Sequence, residues 1–145
     1  MGTGCKKVCD ACGYAFTALE GSGFPDFPEL LRKSCLEGEY GEKVKAFVEA
    51  HPRCEVEINR VFSRCAKCGS LENQRRLRIL IHASEYDENL DKGLRLLKDG
   101  SYAFYHREPC ASCGGRLVKA DLDDIEVCPS CGAINQWKFI ICNWD

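Results

Sequence analysis

CASCGGRLVKADLDDIEVCPSCG, residues 110–132, holds two cysteine pairs, each with two residues between its thiols and a glycine behind it. The same CxxCG pattern stands twice more, at Cys9-Asp-Ala-Cys12-Gly13 and Cys65-Ala-Lys-Cys68-Gly69. A tight turn over two intervening residues aims both sulfurs at one point, and two such turns face to face supply four thiolates. That is the tetrahedral shell that Zn²⁺ prefers. Glycine after the second cysteine accepts a positive φ without steric cost, which lets backbone N–H groups turn toward the sulfurs. The expected metal ligands are therefore Cys9, Cys12, Cys65, Cys68, Cys110, Cys113, Cys128 and Cys131, holding two Zn²⁺ per chain.

The other residues frame this expectation. The chain has 145 residues and is 45% hydrophobic, 29% charged and 10% aromatic, which reads as globular. That length suits one ordinary domain or two small ones, and two small ones would need staples. Twelve cysteines is a high count. A secreted disulfide scaffold and a cytosolic metal protein both use cysteine this heavily. The N-terminal MGTGCKKVCDACG lacks the apolar core of a secretory signal, and no apolar run nears the roughly 20 residues that span a bilayer. Lys6 stands where a myristoylation start needs Ser or Thr. The expectation is a cytoplasmic, metal-binding protein with no membrane segment.

Hydropathy patterning gives the coarse elements. A helix is expected over 27–37, capped by Asp26, with Pro28 in its first turn and Gly38 past its end, after a loop over 17–25 that contains Pro25. A second helix runs from about Glu39 to Ala50 on the stripe Val44, Phe47, Val48. Strands are expected at 54–64 and 76–82 by alternation, and at 101–106 as the short aromatic run SYAFYH. Ser84 with Asp87 resembles a cap for a helix over 85–98 with Leu90, Leu94 and Leu97 on one face. Residues 116–128 read as a hairpin around the acidic turn Asp121–Asp124, and QWKFIIC as a last strand pairing with it.

The pairing of the knuckles follows from interval. Cys110–Cys131 has C-x2-C-x14-C-x2-C spacing, near a standard zinc interval, and Cys9–Cys68 has the longer C-x2-C-x52-C-x2-C. The simplest arrangement pairs neighbours. It gives an α+β chain of two small antiparallel zinc-bound sheets, the first with a helical lobe inserted at about 26–50. The expected domains are 1–82, a connecting helix over 83–100, and 101–145. Interleaved pairing, such as Cys9 and Cys12 with Cys128 and Cys131, stays open, as do redox dithiols and disulfides. Cys5, Cys35, Cys54 and Cys142 have no partner at knuckle spacing. Cys35 and Cys54 fall on apolar faces and read as small buried hydrophobes.

These motifs resemble the zinc-ribbon, or rubredoxin-like, superfamily. The likeness covers about 106–142 well, and 5–16 with 60–72 less closely. KKVCDACGYAF and CPSCG are similar to the two rubredoxin knuckles, but they stand far apart here, whereas rubredoxins keep them at a compact interval. The resemblance implies four thiolates per site, zinc, and a three-stranded sheet against the knuckles. It also implies, more weakly, an iron electron carrier, because iron accepts the same ligands. It does not imply a function.

Function classes separate on chemistry. Four cysteines close a metal shell, whereas a catalytic zinc keeps a position open. His51, His82 and His106 are scattered, with His51 placed to cap helix-end carbonyls. No triad, phosphate loop or dinucleotide fingerprint is present, so neither catalysis nor a small-molecule substrate is expected. The chain's net charge is −2, yet residues 53–78 carry seven Lys or Arg against three Glu. Within that excess, Arg60, Arg64, Lys67, Arg75, Arg76 and Arg78 are candidate nucleic-acid contacts, with charge balance beside a thiolate cluster as the plainer role. Tyr102, Phe104, Tyr105, Trp137, Phe139 and Trp144 exceed what a small sheet needs inside. The leading expectation is an adaptor that binds a protein partner through an exposed remainder of these aromatics.

Overall fold

The computed structural model describes residues 2–23 and 26–144, with side chains up to Ile141. Pro25 and the side chains of Cys142 and Trp144, named in the expectations above, lie outside the described set. The fold is mixed α and β, with two antiparallel sheets and two helices. In chain order the elements are β1 (Gly2–Cys9), β2 (Ala15–Glu20), α1 (Pro28–Leu36), α2 (Glu42–Ala50), β3 (Glu55–Cys65), β4 (Leu71–Ile81), β5 (Arg95–Leu96), β6 (Tyr102–Arg107), β7 (Leu117–Lys119) and β8 (Trp137–Trp144). One sheet has the order β2-β1-β8 and the other β5-β6-β4-β3-β7.

The chain divides into two compact units, neither of them continuous in sequence. The first comprises 1–23, 60–75 and 108–145, and the second 24–59 with 76–107. This corrects the expected domains 1–82, 83–100 and 101–145. The expected boundaries assumed that neighbouring knuckles pair, whereas antiparallel strand pairing joins the two ends of the chain. β8 lies along the whole of β1, from Gly2↔Trp144 to Cys9↔Trp137. The final strand therefore does not pair with a 116–128 hairpin. β7 pairs with β3 instead, from Ser63↔Lys119 to Cys65↔Leu117, and Val127 makes only an isolated bridge with Ile134. Residues 17–20, expected in a loop, belong to β2, in register with β1 from Thr3↔Glu20 to Val8↔Ala15.

The second unit has an aliphatic core. Alternate residues Val56 and Ile58 of β3 and Leu77, Ile79 and Ile81 of β4 are buried with Leu31 and Cys35 of α1 and Val44 and Val48 of α2. Strand alternation and helical spacing both deliver these positions, so the sequence pattern and the core coincide. Cys54 joins them, so Cys35 and Cys54 are buried as expected. Helix α1 starts with Pro28 at N1, after Phe27 at the N-cap; no side chain caps it, so Asp26 is not the cap expected. Tyr102 and Phe104 pack against this core, where Phe104 stacks on Phe47 at 4.6 Å and Tyr102 on Tyr86 at 3.8 Å. These two aromatics thus belong to the second unit and not to the C-terminal knuckles.

The helix expected over 85–98 does not form. A single 3₁₀ turn spans Ala83–Glu85, and Leu90 is exposed. His82 Nδ1, not a Ser84–Asp87 pair, caps that turn by accepting from the Ser84 N–H. The Asp87 carboxylate accepts from the Asn89 N–H and Asp91 from the Asp87 N–H. Such local bonds offer the backbone an alternative to helix. Gly93, at φ 85°, then turns the chain. Asp91 is held inward by His51, whose Nε2 lies 2.8 Å from Asp91 Oδ1.

In the first unit, Phe62, Ala18 and Ile125 are buried, with Phe16, Leu71, Leu122 and Trp137 around them. Phe16 stacks on Phe62 at 5.5 Å and meets the Trp137 ring edge-on at 5.7 Å. Lys7 is buried here. Its ammonium donates to the carbonyls of Leu122 at 2.9 Å and Ile125 at 2.7 Å and sits 5.0 Å from the centre of the Trp137 ring.

Candidate metal centres

All four knuckles have one backbone geometry. The first cysteine N–H donates to the carbonyl five residues on: Cys9 to Tyr14, Cys65 to Ser70, Cys110 to Gly115 and Cys128 to Ala133, at 2.8–2.9 Å. The following glycine donates back to that cysteine's carbonyl, as Gly13 does to Cys9 at 2.8 Å. Gly13, Gly69, Gly114 and Gly132 have φ of 76°, 75°, 71° and 75°, the left-handed region where a side chain is strained.

Strand pairing decides which knuckles meet. β1 runs into Cys9, and β8 leaves the Cys128–Cys131 turn, so their antiparallel pairing brings those two knuckles together. The Cys65–Cys68 knuckle is the connection between β3 and β4. The Cys110–Cys113 knuckle leads into β7, which pairs with β3 at Cys65↔Leu117. The result is nested. Cys9, Cys12, Cys128 and Cys131 form an outer cluster, and Cys65, Cys68, Cys110 and Cys113 an inner one, each with all sulfurs within 4.8 Å of one another. This corrects the neighbour pairing and agrees with the interleaved alternative for Cys9 and Cys12. Both clusters fall in the first unit.

The donor sets fit a tetrahedral ion. Metal–sulfur bonds of about 2.3 Å imply sulfur–sulfur edges of about 3.8 Å. Cys9–Cys131 and Cys12–Cys128 are 3.8 and 3.7 Å apart, and Cys65–Cys113 and Cys68–Cys110 are 3.5 and 3.6 Å. A disulfide would need about 2.05 Å, and all the described cysteines up to Cys131 are free thiols. In every knuckle the first cysteine is buried and the second is more open. Backbone donors face the sulfurs: Tyr14 N–H to Cys12, Lys67 N–H to Cys65 and Gly115 N–H to Cys113, each at 3.4 Å. The two four-cysteine clusters can hold metal ions.

Local groups divide the protons unevenly. The Ser70 hydroxyl, 3.0 Å from Cys68, favours its thiolate and brings that thiol down to about 6. The Glu72 carboxylate accepts from Cys110 at 3.0 Å and pushes it up to about 12. Burial opposes charge on Cys128, but the Cys131 and Ser130 N–H groups outweigh it and bring the thiol to about 7. The Ala133 N–H favours the thiolate of Cys131, yet the surrounding thiols, Cys12 first, push it up to about 12. Sequence reasoning missed Ser70 and Glu72; a hydroxyl and a carboxylate within four residues of a knuckle were the available signal.

The other candidates scatter. Arg75 is bound by Glu108 at 2.6 and 2.9 Å, and Arg78 by Glu57 at 2.5 and 2.7 Å. Burial and the nearby Arg107 lower Arg76. Arg60, in the first unit, bridges Gly21 through its backbone. Arg64 and Lys67 are exposed at the inner knuckle. The six cations therefore do not form one face, and Arg76 and Arg78 fall in the other unit. His51 bonds the Phe47 carbonyl at 2.8 Å, the capping role expected of it, while His82 and His106 stand apart from it in the chain. No family model, curated protein or solved structure matches the chain. Among the described residues no helix is long and apolar enough to cross a membrane.

Proposed function

We propose that the chain is a structural zinc protein of a reducing compartment such as the cytoplasm, with two Zn²⁺ per chain, that works as a protein-interaction module. Four thiolates per cluster leave no position for substrate, which supports a structural and not a catalytic metal. The observation that carries the adaptor reading is β8. Among the described residues it is an edge strand with only β1 beside it, and Phe139, Ile140 and Ile141 are 53, 51 and 85% exposed. Proteins usually protect such an edge with charge, proline or a bulge. Here Lys138, the neighbouring charge on β8 itself, is held by Asp10 at 3.1 Å, and the Lys7 ammonium of β1 lies 4.9 Å from the Phe139 ring. An apolar extended segment of a partner protein, added as a fourth strand beside β8, would satisfy the open backbone groups and cover these side chains.

Elemental analysis after purification under reducing conditions comes first, with two zinc atoms per chain as the expected result. Iron in both clusters would replace this reading with electron transfer, since four thiolates accept either ion. The zinc-loaded protein is then panned against a library of displayed extended peptides. Enriched apolar sequences that fail to bind Ile140→Lys support the adaptor. Enrichment that is equal on Ile140→Lys, or absent, rejects it.

A further inference from the structure

The two cations left exposed at the inner knuckle have a third beside them. Arg64 of β3 stands opposite Val118 of β7, and Arg116 lies two residues before Val118. Alternation puts Arg64, Arg116 and Val118 on one face, with the arginines as diagonal neighbours about 7–8 Å apart. The Ala66 N–H donates to the Arg116 carbonyl at 2.9 Å, which fixes the knuckle turn against the start of β7. Lys67 follows in that turn, its Cβ 3.0 Å from where a Cβ on Gly115 would lie. Arg64, Lys67, Arg116 and Val118 are all exposed.

This trio differs from the cations of the chain that are engaged by acids or carbonyls. Arg75, Arg78 and Lys138 each hold a carboxylate, and Lys7 holds two carbonyls. Among the described residues no ion pair or hydrogen bond joins the side chains of Arg64, Lys67 or Arg116 to an acid. Glu72, the carboxylate at this knuckle, is engaged by the Ala111 N–H at 3.1 Å and by Cys110. Like charges side by side on a sheet destabilise it unless a counter-charge is supplied. Two of the three are arginines, whose planar forks match phosphate in two-point contact. Val118 between them offers an apolar contact to a sugar or base.

We infer that the face formed by Arg64, Lys67, Arg116 and Val118 at the inner knuckle binds the phosphate backbone of single-stranded nucleic acid without reading its sequence. The contact is electrostatic and so depends on salt. It lies on β3 and β7, in the other sheet from β8, and stands or falls independently of the adaptor reading.

Fluorescence anisotropy tests it, with the metal-loaded protein and a fluorescein-labelled oligothymidylate of about 20 nucleotides. Three phosphate contacts give a slope of log affinity against log salt of about −2 for a single strand. The variant Arg64→Ala/Arg116→Ala is expected to bind at least tenfold more weakly, with the slope reduced to below about 1 in magnitude. Lys67→Glu, on an exposed turn, gives the same direction should the double variant misfold. Arg78→Ala, in the other unit, leaves binding unchanged, and all variants keep their metal. Absence of binding at about 50 mM salt overturns the inference. So does binding that the variants do not weaken, or equal competition by polyglutamate of matched length. Loss of metal from Arg64→Ala/Arg116→Ala also overturns it, because the cations would then serve to balance the thiolate charge.

Discussion

Gly115 shows how closely the inner cluster is packed. Its backbone needs no positive φ, yet an added Cβ would stand 3.0 Å from Cys65 Sγ, 3.0 Å from the Lys67 Cβ and 3.1 Å from Cys113 Sγ. Two of these neighbours are sulfurs of the inner cluster and the third is fixed to the backbone of the knuckle. Gly115→Ala should therefore cost about 1–3 kcal/mol by overpacking, and should weaken metal retention in the inner cluster alone, read as faster release of one of two ions to a chromogenic chelator. Cys35 carries a different sensitivity. Burial, with Cys54 and Glu39 nearby, raises its thiol from 9.0 to about 11. The folded state thus holds this proton more tightly than the unfolded chain. Its contribution to stability is complete below pH 9 and disappears as pH rises toward 11. Cys35→Ala should be less stable at neutral pH but lose less between pH 9 and 11, as followed by thermal unfolding.

The His51–Asp91 pair shows how an element can be decided by a long-range contact. His51 ends α2, and both its ring nitrogens face acceptors: the Phe47 carbonyl at 2.8 Å and Asp91 at 2.8 Å. Both ring nitrogens of this buried histidine are thus engaged, one by a backbone carbonyl and one by a buried carboxylate. Removing one partner leaves the other a buried polar group without its hydrogen bond, which typically costs about 1–3 kcal/mol. His51→Ala should lower the melting temperature and expose the amides of 86–94 to hydrogen exchange, while metal content stays at its normal value. A double variant with Asp91→Ala should lose less than the two single losses added. The same contact explains why a helix over 85–98 was expected and did not form. Leu90, Leu94 and Leu97 have helical spacing, but Asp87 and Asp91 take up backbone N–H groups and Asp91 is held by His51. Periodicity in a short window cannot register a partner 40 positions away. Where the partner is local, as for α1 behind Pro28 or the alternation of Leu77, Ile79 and Ile81, sequence and structure agree.

The eight knuckle cysteines were legible in the sequence because CxxCG specifies its own turn. Their pairing was not, because it depends on which strands lie side by side. β1 and β8 are short stretches of mixed polarity at opposite ends of the chain, and Gly2, Gly4 and Lys7 give β1 no clean alternation. Interval alone favours joining Cys110–Cys113 to Cys128–Cys131. The β1–β8 and β3–β7 registers join them across instead. The two arrangements predict different stoichiometries. Cys12 and Cys128 share the outer cluster in the nested fold, 3.7 Å apart. Cys12→Ser/Cys128→Ser therefore disables one site, and one ion per chain should remain in the intact inner cluster. Pairing of neighbours would put these residues in separate sites, and the same variant would retain none. Cys12→Ser/Cys68→Ser reverses the logic, with no ion retained in the nested fold and one under neighbour pairing. Metal content of the two variants, measured side by side under reducing conditions, distinguishes the topologies. Each cluster binds only as thiolate, so both measurements belong at a fixed pH near neutrality, where protons do not displace the ion.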